Sequence, residues 1–179
     1  PGVTSARSWT RVGPQSVRYD GFLRVVRRRL RMPNGRESEW DLLDSSDSVV
    51  VLPLARDGRV ICIRQYRPGP DAVVTCLPGG LIDPGEDPLR AAARELREET
   101  GWSAHRWQLA GPTQWFKSTE VSWAVIAHDC VPSGPQVLED DEDIEVVLLD
   151  VADVRSRLRD GSFGTVQHAY LALDHAGLL

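Results

Sequence analysis

The sequence has no apolar run long enough to cross a bilayer. Its longest apolar run, Val49–Ala55, falls far short of the ~18–20 residues a membrane helix needs. No basic N-terminal stretch leads into an apolar one, so no signal peptide is expected. Cysteine is scarce: Cys62, Cys76 and Cys130 are odd in number and widely spaced. That excludes a disulfide framework and a cluster of paired thiolate ligands, leaving reduced thiols in the cytoplasm as the expectation. Positive charge is not in excess. The 21 basic and 26 acidic residues give a formal net charge of −5, which argues against general nucleic-acid binding, whose footprint is basic. There is no internal repeat, and no linker long enough to divide the chain in two.

What is present is ordinary globular composition, with 41% apolar and 26% charged residues among 179. A chain of this size buries roughly 70% of its unfolded surface and needs no disulfide or metal to fold. Residues 1–16 read as a loose polar arm. Tyr19–Arg31 and Glu37–Leu43 read as two strands around Asn34-Gly35, and Val49–Leu54 and Val60–Tyr66 as two more around Asp57-Gly58. Val73–Leu77, Trp107–Leu109, Trp123–Cys130 and Ile144–Leu149 are further strand candidates. Val151–Arg159 and Val166–Leu178 look helical. The clearest helix is Pro88–Thr100, with Asp87 as N-cap, Pro88 at the first position and Gly101 as the stop. Strands and helices mix without a regular βαβ order, so the fold class is α/β.

Chemistry concentrates in residues 80–102. On a helix, Glu95, Glu98 and Glu99 share one face through i, i+3 and i, i+4 spacing, beside the apolar Leu89, Ala93 and Leu96. Like charges so placed repel, and a cation must offset them if all three stay ionised. Hard carboxylate oxygens suit Mg²⁺ or Mn²⁺, and Mg²⁺ commonly bridges carboxylates and substrate phosphates. Arg94 precedes Glu98 by four and can hold that carboxylate in place. The plainer alternative is a solvated, Glu-rich helix.

The spacing of Gly80, Glu86, Arg94, Glu95, Leu96, Glu98, Glu99, Gly101 and Trp102 resembles the Nudix box at every defined position. The resemblance implies a Nudix fold, an α/β/α sandwich with a mixed sheet, here with an N-terminal β-hairpin region. It implies hydrolysis of a nucleoside diphosphate linked to another group, with divalent cations. Carried over by position, Glu95 and Glu99 are the principal metal ligands and Glu98 a further ligand or catalytic contact. Gly80 offers its backbone carbonyl. Glu86, Arg94 and Gly101 serve the framework of the box, and Glu86 supports the loop and reaches the metal shell.

Similarity extends over residues 17–178. Tyr19-Asp20-Gly21-Phe22, Arg64-Gln65-Tyr66-Arg67 and Glu142-Asp143-Ile144-Glu145-Val146 resemble segments of ADP-ribose pyrophosphatases. This implies a homodimer built through residues 1–47, with the hydrolase domain at 48–179, Tyr19 and Phe22 stacking on adenine, and Arg67 clamping phosphate. It also implies that one of Glu139, Asp140 and Glu142 acts as base or binds a further metal, with Glu120 as a second candidate base. Ordinary packing for Phe22, a surface role for Arg67 and a solvated acidic loop are the plainer alternatives. For Arg24–Arg31 the plain reading, a charged strand face, is preferred. The four histidines show no triad or ligand spacing.

The expected reaction is ADP-ribose to AMP and ribose 5-phosphate. The chain departs from the subfamily at Cys76, where a glutamate is common, and lacks a proline about sixteen residues after the box; its Pro68–Asp71 loop is also short. Another nucleotide sugar such as GDP-mannose therefore stays open, as do a catalytically silent nucleotide-binding regulator and a nucleic-acid binder acting through Arg24–Arg31.

Overall fold

Turn chemistry sets the first boundaries. At Pro33-Asn34-Gly35 the Gly35 N–H donates to the Met32 carbonyl at 2.9 Å, the Met32 N–H donates to the Arg36 carbonyl at 2.8 Å, and Gly35 takes φ +83°. This is a three-residue hairpin loop that needs a left-handed residue at its last position. Arg56-Asp57-Gly58 repeats the pattern, with Gly58 at φ +86°.

The computed structural model describes residues 8–179. They fall into two units, residues 8–46 with Gln114–Glu120, and Asp47–Thr113 with Val121–Leu179. The first unit holds β1 (Thr10–Arg11), β2 (Ser16–Asp20), β3 (Arg24–Arg31) and β4 (Glu37–Leu43), with β3 pairing antiparallel to the other three. Two expectations change here. Residues 8–16 are not wholly a loose arm, because Thr10 and Arg11 pair with Arg31 and Leu30; residues 1–7 lie outside the described residues. Tyr19–Arg31 is not one strand. The chain turns at Gly21, whose N–H donates to the Leu23 carbonyl at 3.1 Å, so β2 and β3 run antiparallel. The arginines of β3 are mostly spent on neighbours: Arg27 on Asp41 and Glu39, Arg31 on Glu37, Arg24 on Asp44, and Arg28 on Gln15. The preferred plain reading of Arg24–Arg31 fits that pairing.

The second unit continues with β5 (Ser48–Ala55), β6 (Val60–Arg67), β7 (Ala72–Cys76), β8 (Gly79–Leu81), α1 (Pro88–Thr100), β9 (Trp102–Ser103), β10 (Arg106–Thr113), β11 (Ser122–Pro132), β12 (Ile144–Leu149), α2 (Val151–Asp160) and α3 (Val166–His175). α3 stops at His175, short of the expected Leu178, and Gly177 follows at φ +68°. The sheet runs β10-β11-β5-β6-β12, with β7 beside β6, β8 beside β5 and β9 beside β11. It is mixed, since β11 lies parallel to β5 and the other pairs are antiparallel.

Both faces are buried, so the central strands read as continuous apolar runs. Val49, Val51, Ile61 and Val125 pack under Ala91, Ala92 and Leu96 of α1. Val50, Leu52, Cys62 and Ile126 pack under Val154 and Leu158 of α2 and Ala169 and Leu173 of α3. The unit is thus an α/β/α sandwich, as the sequence implies, and among the described residues α1 is the helix on the first face.

Candidate active site

The box helix is fixed at both ends by local chemistry. The Asp87 side chain accepts from the Leu89 N–H at 2.9 Å, and Gly101 at φ +72° donates its N–H to the Arg97 carbonyl. Its apolar stripe is buried against β5, which leaves the carboxylates along the helix edge facing β8. Close approach there requires glycine. A Cβ on Gly79, at φ +155°, would lie 2.1 Å from the Val49 carbonyl oxygen, and one on Gly80 would lie 2.6 Å from Glu95 Oε1.

Glu99 is only 3% exposed, and the Gly79 N–H donates to its Oε2 at 2.7 Å. Burial pushes its carboxyl up to about 8. The Gly79 N–H opposes this, the charges of Glu95 and Glu142 add to it, and the Arg67 guanidinium opposes it again. Glu95 is also raised, by burial first, with Arg94 opposing and Glu98 and Glu142 adding. Arg94 is the hub of the remainder. Its Nη1 lies 2.6 Å from Glu95 Oε1 and 3.1 Å from Glu98 Oε2, and its Nη2 lies 3.0 Å from Glu86 Oε2. A further bond runs from Nη2 to the Leu81 carbonyl at 2.9 Å. The Arg94 bonds hold the Glu86 carboxyl below its usual range, and Glu86 also accepts the Asp83 N–H at 3.1 Å.

The acidic loop is tied to the C-terminal end of α1. Gln136 Nε2 donates to the Glu99 carbonyl at 2.6 Å and to the Ile144 carbonyl at 3.1 Å, and the Val137 N–H donates to the Glu98 carbonyl at 2.9 Å. The loop closes on itself where the Glu139 N–H donates to Glu142 Oε2 at 3.0 Å. Of its candidates, Glu142 is half-buried and its charge acts on Glu95 and Glu99, whereas Glu139 and Asp140 are exposed. Arg67, at the end of β6, acts on Glu99 and on the Cys76 thiol. Tyr19, Phe22 and Glu120 belong to the first unit, where Tyr19 and Phe22 are exposed.

Gln136, the Gly79 N–H and the reach of Arg94 to three carboxylates are absent from the sequence-level expectations. Only Arg94–Glu98 has a spacing signal; the rest depend on chain reversals between β8, α1 and the acidic loop.

Among the described residues no three carboxylates, histidines or cysteines converge closely enough to hold a metal ion. Arg94 draws Glu95 and Glu98 toward itself, while Glu99 is turned to Gly79. The donor set nonetheless fits a hard divalent cation. The buried Glu99 and the half-buried Glu95 repel each other, and glycine at position 80 lets the Glu95 carboxylate lie against the loop backbone.

An α/β/α sandwich with a carboxylate-lined helix beside a glycine loop defines a class of metal-using enzymes. Residues 44–168 match the NUDIX domain, and the chain belongs to that family of hydrolases, which work with divalent metals. The chain is similar to an ADP-ribose pyrophosphatase of Bacillus subtilis (strain 168), 29% identical over 129 residues that cover 69% of each chain. A yeast ADP-ribose pyrophosphatase (Saccharomyces cerevisiae) is 40% identical over 83 residues, 40% of this chain and 36% of that one. A solved structure described as an ADP compounds hydrolase matches with a TM-score of 0.82 at 23% identity, covering 99% of this chain and 100% of that one. That likeness carries the fold.

Proposed function

We propose that the protein hydrolyses the pyrophosphate bond of an ADP-linked compound, ADP-ribose first among them, to AMP and ribose 5-phosphate. The observation that carries this reading is the buried Glu99 with the half-buried Glu95 beside Gly80, a concentration of negative charge that a bound cation would offset while it meets a pyrophosphate. The activities of those relatives support the choice of substrate. Glu95, Glu99, Glu98 and the Gly80 carbonyl are the groups that would hold Mg²⁺ or Mn²⁺. When bound there, the cation screens the phosphate charge and lowers the pKa of a water. Arg67 fixes the direction of the pyrophosphate, as a planar guanidinium can engage two phosphoryl oxygens. Glu142 takes a proton from the attacking water; Glu139 and Asp140, being exposed, are weaker candidates. Glu86, Arg94 and Gly101 keep the box in shape.

Tyr19 and Phe22 offer stacking surface for adenine, and a homodimer joined through the first unit belongs to the same reading. Its support is the exposed apolar surface of Val17, Leu23, Trp40 and Phe116. Three free, buried thiols agree with a cytoplasmic setting. No described helix is long and apolar enough to cross a membrane.

The test is a hydrolysis screen over ADP-ribose, other ADP compounds and GDP-mannose, with Mg²⁺ and with Mn²⁺, run in ¹⁸O-water. AMP and ribose 5-phosphate from ADP-ribose, with label in one product only, are expected. Preference for GDP-mannose, orthophosphate as the primary product, or no turnover of any nucleotide sugar would each overturn the assignment.

A further inference from the structure

The face of the sheet opposite α1 carries a second charged site. Along β6, Ile61 packs on the α1 side and Cys62 on the α2 and α3 side. By strand alternation Arg64 therefore belongs to the face away from the box. Register places it opposite Thr75 of β7 and Glu145 of β12. Above this row stands Arg157 of α2, followed by Ser162 in the turn that leaves the helix. Together they line a cavity of about 520 Å³.

The polar groups are unevenly satisfied. Arg64 has one exposed carboxylate, Glu145, at 2.8 Å. Arg157 has no ion pair among the described residues, although its charge reaches the buried Cys62 thiol. Asp160, beside it, accepts the Ser162 N–H at 2.9 Å. Thr75 is 8% exposed and lines the cavity between the two arginines. Two guanidiniums on one cavity repel unless an anion sits between them. The remaining wall is apolar: Val73, Val147 and Leu149.

We propose that this cavity is an accessory site for a phosphate monoester. The Arg64 and Arg157 guanidiniums meet the phosphoryl oxygens, since planar forks suit a tetrahedral dianion. The Thr75 hydroxyl donates to the same group, and the valine and leucine side chains cover the organic remainder. The site is independent of what the box cleaves, because the residues that form it lie on the other face of the sheet.

The experiment is thermal unfolding of the full chain in EDTA, with inorganic phosphate or phenyl phosphate and sodium chloride at matched ionic strength. At a tenfold excess over Kd a ligand of the native state raises Tm by about 4 °C for a chain of this size. A saturable rise is expected with both phosphates, with phenyl phosphate several-fold tighter because of the apolar wall. The rise should vanish in Arg157→Gln and Arg64→Gln and persist in Arg67→Gln, which alters the box face. A response equal to that of chloride overturns the site. Loss in Arg67→Gln with retention in Arg157→Gln places the anion at the box and also overturns it. Equal affinity for the two phosphates overturns the monoester assignment. Should either arginine variant fail to fold, amide NMR shifts of the wild type on adding phenyl phosphate decide. Perturbation at Thr75 and Ser162 supports the site, and perturbation at Gly80 without them refutes it.

Discussion

Glu99 sits in the wall of the box with one backbone N–H for compensation. Its carboxyl is held up to about 8, against an ordinary value of 4.5. Between those values the native chain keeps a proton that the unfolded chain has released. The stability from this group is therefore full below pH 4.5 and is lost as pH rises through about 8. In EDTA, the melting temperature of the wild type should fall relative to that of Glu99→Gln between pH 5 and pH 9. Parallel pH profiles would refute the raised carboxyl. A divalent cation needs the ionised form, so its affinity should rise about tenfold per pH unit below 8 in a calorimetric titration. Glu99→Gln should also cut kcat by ~10²-fold with the fold intact, which steady-state kinetics and circular dichroism together would check. That Glu95, Glu98 and Glu99 share a face was legible from spacing alone. Which of them is deeply buried was not, because burial is decided by β8 crossing the helix at Gly79.

At the scale of elements, α1 was the most legible part of the chain. Asp87, Pro88 and Gly101 are local signals, and the helix runs between them as the sequence implies. The glycine loop was legible only as a break. Its real demand is steric: Gly79→Ala would drive a Cβ to 2.1 Å from the Val49 carbonyl at a left-handed φ. A loss of about 3 kcal/mol is expected, read from urea unfolding. The acidic run was legible as charge and not as position. Only folding tells the half-buried Glu142 from the exposed Asp140, and the fastener is Gln136, a residue without any motif signal. Gln136→Ala should lower kcat about tenfold while costing about 1–2 kcal/mol of stability, since its two hydrogen bonds tie the loop to α1 and to β12. Unchanged turnover would mean that the loop needs no such anchor.

At the scale of the whole molecule, the unbroken apolar run of β5 marked a strand buried on both faces, and the sandwich agrees with it. The return of Gln114–Glu120 to the first unit was silent in the sequence. It rests on backbone bonds between Leu43 and the 117–119 stretch at 2.8 and 2.9 Å, a pairing across more than seventy residues that no local pattern marks. The exposed apolar side chains of the first unit lead to the expectation of a particle of about 40 kDa, twice the 19.9 kDa chain. Light scattering at micromolar concentration would check it, and a particle of single-chain mass would refute the dimer.

The parallel pairing of β5 with β11 has a consequence for biogenesis. Ser48 and Ser122 touch at 2.6 Å across 74 positions of sequence. At ~5–20 residues per second, a ribosome takes roughly 4–15 s to supply the second strand after the first. Throughout that interval Val49–Leu52, covered on both sides in the finished fold, can meet β8 and α1 but keeps the edge that β11 will take unpaired. The nascent chain is then most exposed to aggregation and most in need of a chaperone, and its high contact order makes the step slow even after release.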